Sequence, residues 1–410
     1  MKKVLFLFFA FMVCCSVCAS AMGKSIKFVQ GSPVMTVYTY SGNESEETGV
    51  VPVNENTTLL VPLRPLSEAL GINVDWNNDT EEVTLKFDET YITLKNNSVY
   101  ASVNGDIKTL GAMPRIINGR FLVPLRFIAE VYGCNVSWDE KEKAAVIRNA
   151  QAFKNTVPII MYHDINENVT DATVVTPQKF EENMKLLASN GYTPISFEEL
   201  ISFVDGNGLL PEKPVIITFD DGYLSNYEYA FPILKKYNFC ATVFVIGSSV
   251  GHNEYYKNTA YRLTPHFGIP EIMQMVSSSL ISVQSHTYDM HQWAQYEKVP
   301  EKARCSAVPI DGESDADFAA ALKNDIVLQN LIFSRAGIKS SNVLSFPNGK
   351  YADITNSVLA QNGYRATVTT DPARLNSVTV YDNPSLFNMG RFNITEDTAD
   401  IEILNYLNKK

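Results

Sequence analysis

The stretch VIITFDDGYLSNY, residues 215–227, decides how the rest of the chain is read. Val215 to Phe219 is a β-branched and aromatic run of the kind that forms a strand buried on both faces. It ends in two acids, Asp220 and Asp221, followed by Gly222 and then a helical pattern. Adjacent carboxylates repel one another and are costly to bury without a partner. A cation, or a reaction that needs two differently tuned acids, resolves the conflict.

The same grammar extends to both sides. VPIIMYH (157–163) reads as a strand that ends in His163. TPQKFEENMKLLASNGY (176–192) reads as a helix with Thr176 as N-cap, Pro177 at the first helical position and Gly191 at the stop. SFEELISFV (196–204) opens with Ser196 and Glu199 at capping-box spacing. Further apolar runs end at ISVQSH (281–286), NVLSFP (342–347) and RATVTT (365–370). Strands alternating with helices indicate an α/β barrel or a doubly wound sheet, and in both the function collects at the carboxyl ends of the strands. Cys240 in NFCATVFVI reads as a small buried apolar residue.

The preceding part of the chain follows a different rule. Val61-Pro62-Leu63-Arg64 returns as Val123-Pro124-Leu125-Arg126, Gly71 as Gly133 and Trp76 as Trp138, each pair 62 positions apart. Two copies of one unit, about 50–88 and 112–149, are expected in a small α+β domain spanning 27–150, before a larger domain over 155–410. Each copy predicts a short strand, a helix stopped by glycine and a hairpin around tryptophan. The domain contains no histidine, so it predicts a spacer or wall-binding module rather than an active site.

At the N-terminus, Lys2 and Lys3 precede an apolar run to about Val17 and small residues at 19–21, the layout of a cleavable signal peptide over 1–21. The expected product is an exported protein, secreted or held at the cell surface, with no stable membrane span. Removing that segment leaves Cys134, Cys240 and Cys305, which offer no disulfide framework and no thiolate metal site. The net charge of −11 excludes nucleic acid as a partner, because no basic field is available for phosphates.

Three of the five histidines fall at or just beyond strand ends: His163, His286 and, in SHTYDMH, His291. Taken singly, each reads as well as a satisfied core histidine, and Asp221 or Ser225 as a cap for the following helix. Together, two imidazoles and a carboxylate form a familiar set for Zn²⁺ or a similar divalent ion. One aspartate can then bind the cation while the other removes a proton from a water that the cation has acidified.

TFDDGY (218–223) and SHTYDMH (285–291) resemble the first two motifs of the NodB-homology polysaccharide deacetylases, carbohydrate esterase family 4, over about residues 155–396. The tandem copies resemble the copper amine oxidase N-terminal-like repeat. The first resemblance implies a deformed (β/α) barrel, a divalent metal (Zn²⁺, with Co²⁺ as an alternative) and removal of acetyl groups from N-acetylglucosamine polymers. It implies Asp220 as general base and Asp221, His286 and His291 as metal ligands. In SFPNGKY it implies that Pro347 and Asn348 line the site, with a backbone N–H there as oxyanion donor.

The sequence departs from the family pattern in two places. No histidine follows His291, so the usual late general acid is missing, and NMGRFNI (388–394) offers Arg391 without an evident acidic partner. His163 is the expected replacement acid, because the first strand of a closed barrel lies beside the last. IIMYHDI also resembles the subgroup acting on poly-β-1,6-N-acetylglucosamine. Arg391 is expected to hold sugar at the rim, and His252 and His266 are weaker candidates on a Tyr-rich loop. Peptidoglycan and decorated xylan are alternative substrates. A binding protein that has lost turnover is the alternative from another class.

Overall fold

The computed structural model describes residues 25–39, 42–55, 57–87, 89–149, 154–205, 208–257, 259–379 and 383–409. The segment read as a signal peptide lies outside them. Among the described residues no helix is long and apolar enough to cross a membrane. The chain divides into two compact units, one through Lys154 and one from Asn155.

In the first unit both copies form the expected elements. The strands Thr58–Pro62 and Arg120–Pro124 each lead directly into a helix, Leu63–Leu70 and Leu125–Val131. Gly71 and Gly133 follow with φ of 73°, a left-handed turn that glycine enters without steric cost. The two strands pair antiparallel with Leu60 opposite Pro124, Val61 opposite Val123 and Pro62 opposite Leu122. Since Val61 and Val123 are equivalent positions, the copies are related by a local twofold through that pair. The first hairpin (Asn73–Asn77 with Glu82–Phe87) is extended by the strands Thr90–Lys95, Tyr100–Val103 and Asp106–Thr109. The second (Cys134–Asp139 with Ala144–Asn149) is extended by Ser25–Val29, Val34–Thr39 and Gly42–Glu47. Each copy therefore contributes a five-stranded sheet beside its own strand and helix, and the strands over 25–47 complete the second copy.

The second unit is built on parallel strands: β1 (Ile159–Tyr162), β2 (Thr193–Pro194), β3 (Pro214–Phe219), β4 (Ala241–Val245), β5 (Ile281–Ser285), β6 (Val343–Ser345), β7 (Ala366–Val368) and β8 (Phe392–Asn393). The hydrogen-bonded order is β7-β6-β5-β4-β3-β1-β8, with β2 added to the start of β3. Val368 pairs with Met389, just ahead of β8, so the curled sheet closes on itself as a deformed barrel. Every residue of β1, β3 and β4 is buried, as parallel strands covered on both faces require.

The helices are α1 (Pro177–Ser189), α2 (Phe197–Val204), α3 (Phe231–Tyr237), α4 (Ile269–Ser277), α5 (Asp315–Arg335), α6 (Asp353–Gln361) and α7 (Asp400–Leu407). Thr176 caps α1 and the Ser196–Glu199 capping box opens α2, as expected. The helix expected after Gly222 forms over 224–237, with a wide π-turn over Asn226–Ala230 just ahead of Pro232, which has no N–H to continue an α-helical ladder. Cys240 is half-buried rather than enclosed.

Candidate metal centre

Each functional side chain is placed by a strand ending. Asp220 follows β3, and its N–H donates to the Tyr162 carbonyl at the end of β1 (3.0 Å), which brings Asp220 beside His163. The chain then turns sharply through Asp221 (φ 73°) and Gly222 (φ 86°). A Cβ at Gly222 would lie 2.9 Å from Val245, so only glycine fits that turn.

Asp220 is buried and fully partnered. Arg391 donates to both of its oxygens at 2.7 Å, and the Ser345 hydroxyl donates to Oδ2 at 3.0 Å while accepting from Arg391 at 2.8 Å. A further Arg391 N–H donates to the Thr369 carbonyl at 2.8 Å. Burial works against charge on Asp220, but Arg391 and His286 outweigh it and hold the carboxyl well below the usual range. The expectation that Arg391 holds sugar at the rim is therefore corrected. Its side chain is completely buried, its fork geometry is spent on one carboxylate, and it has no face left for a ligand.

Asp221 is held differently. His286 Nε2 lies 3.4 Å and His291 Nε2 3.7 Å from Asp221 Oδ1, and this oxygen has no hydrogen-bond partner although it is buried. One donor atom from each of the three residues falls within 4.8 Å of the others. Ligands on a tetrahedral Zn²⁺ at ~2.1 Å lie about 3.4 Å apart, so the spacing suits a divalent cation. The tautomer fits as well: His286 Nδ1–H donates to the Ser345 carbonyl at 2.8 Å, which leaves Nε2 with its lone pair toward Asp221. Burial, opposed by Asp220, lowers the His286 pKa to about 4, so the ring is neutral as a ligand must be. Burial also opposes charge on Asp221, yet the flanking imidazoles keep its carboxyl below the ordinary value.

The loop carrying the two histidines contains a device that the sequence reading missed. Asp325, on α5, is buried and accepts the N–H groups of Tyr288 (2.7 Å) and Asp289 (2.8 Å), midway between His286 and His291. Burial, opposed by these two N–H groups, raises its pKa to about 6. Thr287 sits at φ 68°, a strained conformation for a β-branched residue. Its N–H donates to Ser285 Oγ (3.0 Å), and its own hydroxyl accepts from the Met290 N–H (3.1 Å). These bonds fold the five-residue spacing back so that both imidazoles face Asp221.

His163 sits at the end of β1, which pairs with β8 as a closed barrel requires. Its carbonyl accepts from the Asn226 side chain (2.7 Å), and its Nδ1 is buried without a hydrogen-bond partner. Pro347 and Asn348 follow β6 at the same edge. Asn348 adopts a left-handed turn (φ 55°) with its side chain donating to the Cys305 carbonyl (2.8 Å). His266 is buried with its ring 4.9 Å from Tyr223, and its N–H donates to the His252 carbonyl, so both histidines belong to one segment beside the site.

The comparisons with known proteins agree with this geometry. The polysaccharide deacetylase family matches residues 207–367, and the copper amine oxidase N-terminal domain family matches residues 40–147. The protein named "Putative polysaccharide deacetylase YxkH" of Bacillus subtilis (strain 168) is 30% identical over 233 residues, covering 57% of this chain and 70% of that protein. The poly-beta-1,6-N-acetyl-D-glucosamine N-deacetylase of Escherichia coli (strain K12) is 29% identical over 146 residues, 33% of this chain and 21% of that protein. Among solved structures, a de-N-acetylase from Aggregatibacter actinomycetemcomitans superposes with a TM-score of 0.52 at 21% identity, over 62% of this chain and 100% of the other, which supports the barrel fold. With its Asp-His-His group and its curled parallel barrel, the chain belongs to the polysaccharide deacetylases of carbohydrate esterase family 4.

Proposed function

We propose that this deacetylase is exported and removes N-acetyl groups from an N-acetylglucosamine polymer of the cell surface, releasing acetate, with Zn²⁺ as the resident ion. The observation that carries this reading is the pairing of a carboxylate locked as an anion, Asp220, with a neighbouring Asp221–His286–His291 set whose donor atoms converge. Among such polymers, poly-β-1,6-N-acetylglucosamine is favoured by the early histidine at 163 and by the activity named for the partial relatives.

A divalent cation held by Asp221, His286 and His291 would polarise the acetamide carbonyl and acidify a water, which matters because Arg391 keeps Asp220 a weak base. Asp220 accepts a proton from the attacking water as its oxygen bonds to the acyl carbon. An N–H in the turn at Asn348 supports the negative charge on the carbonyl oxygen. The C–N bond then breaks with its electron pair on nitrogen, and His163 donates the proton that lets the amine leave. Acetate and a glucosamine unit are the products.

The test is acetate release by residues 22–410 from short β-1,6- and β-1,4-linked N-acetylglucosamine oligomers and from peptidoglycan, with chelator, Zn²⁺ or Co²⁺. Release should vanish with chelator and return with metal. His163→Ala should lower kcat by roughly 10²–10⁴-fold. Release unchanged by that substitution would remove His163 from the mechanism. Binding of sugar without acetate from any polymer would overturn the substrate reading.

A further inference from the structure

The segments after β4 and β5 meet in a group of aromatic rings that the chemistry above does not use. Tyr256 packs edge-on against Trp293 at 5.2 Å and lies 5.7 Å from Tyr296. Tyr261 lies flat on Tyr296, with centroids 4.4 Å apart and planes within 18°. Trp293 is 6.0 Å from the ring of His291 and 6.2 Å from Tyr296. Ring contacts thus run without a break from a metal ligand to the surface, where Tyr261 is 48% exposed.

Two features separate this cluster from a piece of core. Only Tyr256 is buried, and it serves as a pillar, while Trp293 and Tyr296 are half-buried and Tyr261 is open. The stack is also fixed by charge rather than by apolar packing. Lys257 donates to Asp289 at 2.9 Å and to Glu297 at 2.7 Å, and the Tyr256 hydroxyl donates to Glu297 at 2.5 Å. Asp289 lies between His286 and His291, so one ion pair ties the stack to the metal loop and sets its position relative to the reacting group. An aromatic surface held in place in advance loses little conformational freedom on binding.

The chemistry of the cluster narrows the ligand. A flat, exposed tyrosine backed by a second ring offers a π-face to the C–H groups of a pyranose whose substituents are equatorial. Lys257 is committed to two carboxylates and to the Tyr256 ring, so its charge positions the stack rather than facing a ligand. We propose that Tyr261 and Tyr296, backed by Trp293, form a subsite that stacks a neutral sugar of the same polymer next to the one whose acetamide reacts. This inference rests on the substrate reading above and deepens it: the enzyme prefers chains to single sugars because it grips a neighbouring unit.

The test compares the methyl glycoside of a single N-acetylglucosamine, which cannot reach a neighbouring subsite, with the pentamer. In the wild type the pentamer should have the lower KM. In Tyr261→Ala and Tyr296→Ala the pentamer KM should rise about tenfold and the length preference should disappear. Zn²⁺ affinity, measured by chelator competition, checks that the metal loop is intact. Single-sugar and pentamer KM values rising together, or neither changing, would overturn the subsite.

A second readout is independent of turnover. Trp293 is the only tryptophan of the second unit. In Asp220→Asn its emission should change and saturate as pentamer is added, and this response should be lost when Tyr261→Ala is added. No response of Trp293 emission to pentamer overturns the subsite. Absence of acetate release from any oligomer, with the response present, overturns the substrate reading and leaves the subsite standing.

Discussion

Asp220 and Asp221 are consecutive in the chain and both buried, yet their surroundings are opposite. Asp220 receives both arms of a buried guanidinium and a serine hydroxyl. Asp221 shows a buried oxygen without a hydrogen-bond donor, 3.4 and 3.7 Å from two imidazole nitrogens. In the first pocket the protein supplies the positive charge itself, so the carboxylate stays an anion. In the second it supplies only ligands, and the charge has to arrive with a cation. The left-handed turn that starts at Asp221 and continues through Gly222 is what sends the neighbouring carboxylates into two such different places. The difference teaches how two adjacent acids avoid sharing one proton: each is neutralised from a different side.

The strongest way to break this comparison is to remove the internal cation. Arg391→Ala would leave Asp220 buried and unpaired, and a loss of about 3–5 kcal/mol of stability is expected, with activity falling accordingly. The sign of the pH dependence is also set. In the wild type the depressed Asp220 contributes stability that is complete above the unfolded-state value of about 3.9 and is lost only as pH falls through the lower folded value. In the variant, burial outweighs what the Ser345 hydroxyl and His286 still supply, and the folded value rises above the unfolded one. The deficit should therefore be smaller at about pH 5 than at about pH 8, measured by denaturant unfolding at both. An equal deficit at the two pH values would mean that Arg391 stabilises by packing rather than by charge.

Arg391 also shows where reading a sequence stops. The polar residues at strand ends were legible because strand, acid and helix follow one another directly, and the resemblance gave them roles. Arg391 had no visible partner because Asp220 lies 171 positions away and only barrel closure joins them. Asp325 was invisible for a different reason. It stands in the middle of a 21-residue helix among Lys323, Asn324 and other polar residues, where a carboxylate reads as solvated surface. In the first unit the matching motifs revealed two copies, but the strands over 25–47 that complete the second lie at the opposite end of the domain from the hairpin they extend. The equivalence of these strands to the extension of the first hairpin shows in the hydrogen-bonded order, not in matching side chains.

The second prediction sharpens the Asp221 side. Asp325 touches none of the three donor residues, so it acts as a positioning residue through the Tyr288 and Asp289 N–H groups. Asp325→Ala should weaken Zn²⁺ binding by roughly 10–100-fold, with much of the kcat recovered at saturating metal. Asp325→Asn keeps an acceptor for the loop and should fall between the two. Chelator competition and kcat measured against free Zn²⁺ separate the cases. If kcat stays low at saturating metal, Asp325 does more than shape the loop.

The smallest effect is expected where the two pockets touch. Ser345 joins them, its hydroxyl donating to Asp220 and its carbonyl accepting from His286 Nδ1. Ser345→Ala deletes the first bond and keeps the second. Asp220 retains both arms of Arg391, so a loss of only about 1 kcal/mol and a fall of less than about tenfold in kcat/KM are expected. Zn²⁺ affinity should be unchanged, because the backbone carbonyl still fixes the His286 tautomer. If metal affinity fell together with kcat/KM, the pockets would be coupled through the serine side chain and could not be treated as two sites. If kcat/KM alone fell, the Ser345 side chain would serve the Asp220 pocket and its backbone the Asp221 pocket, one residue divided between the two.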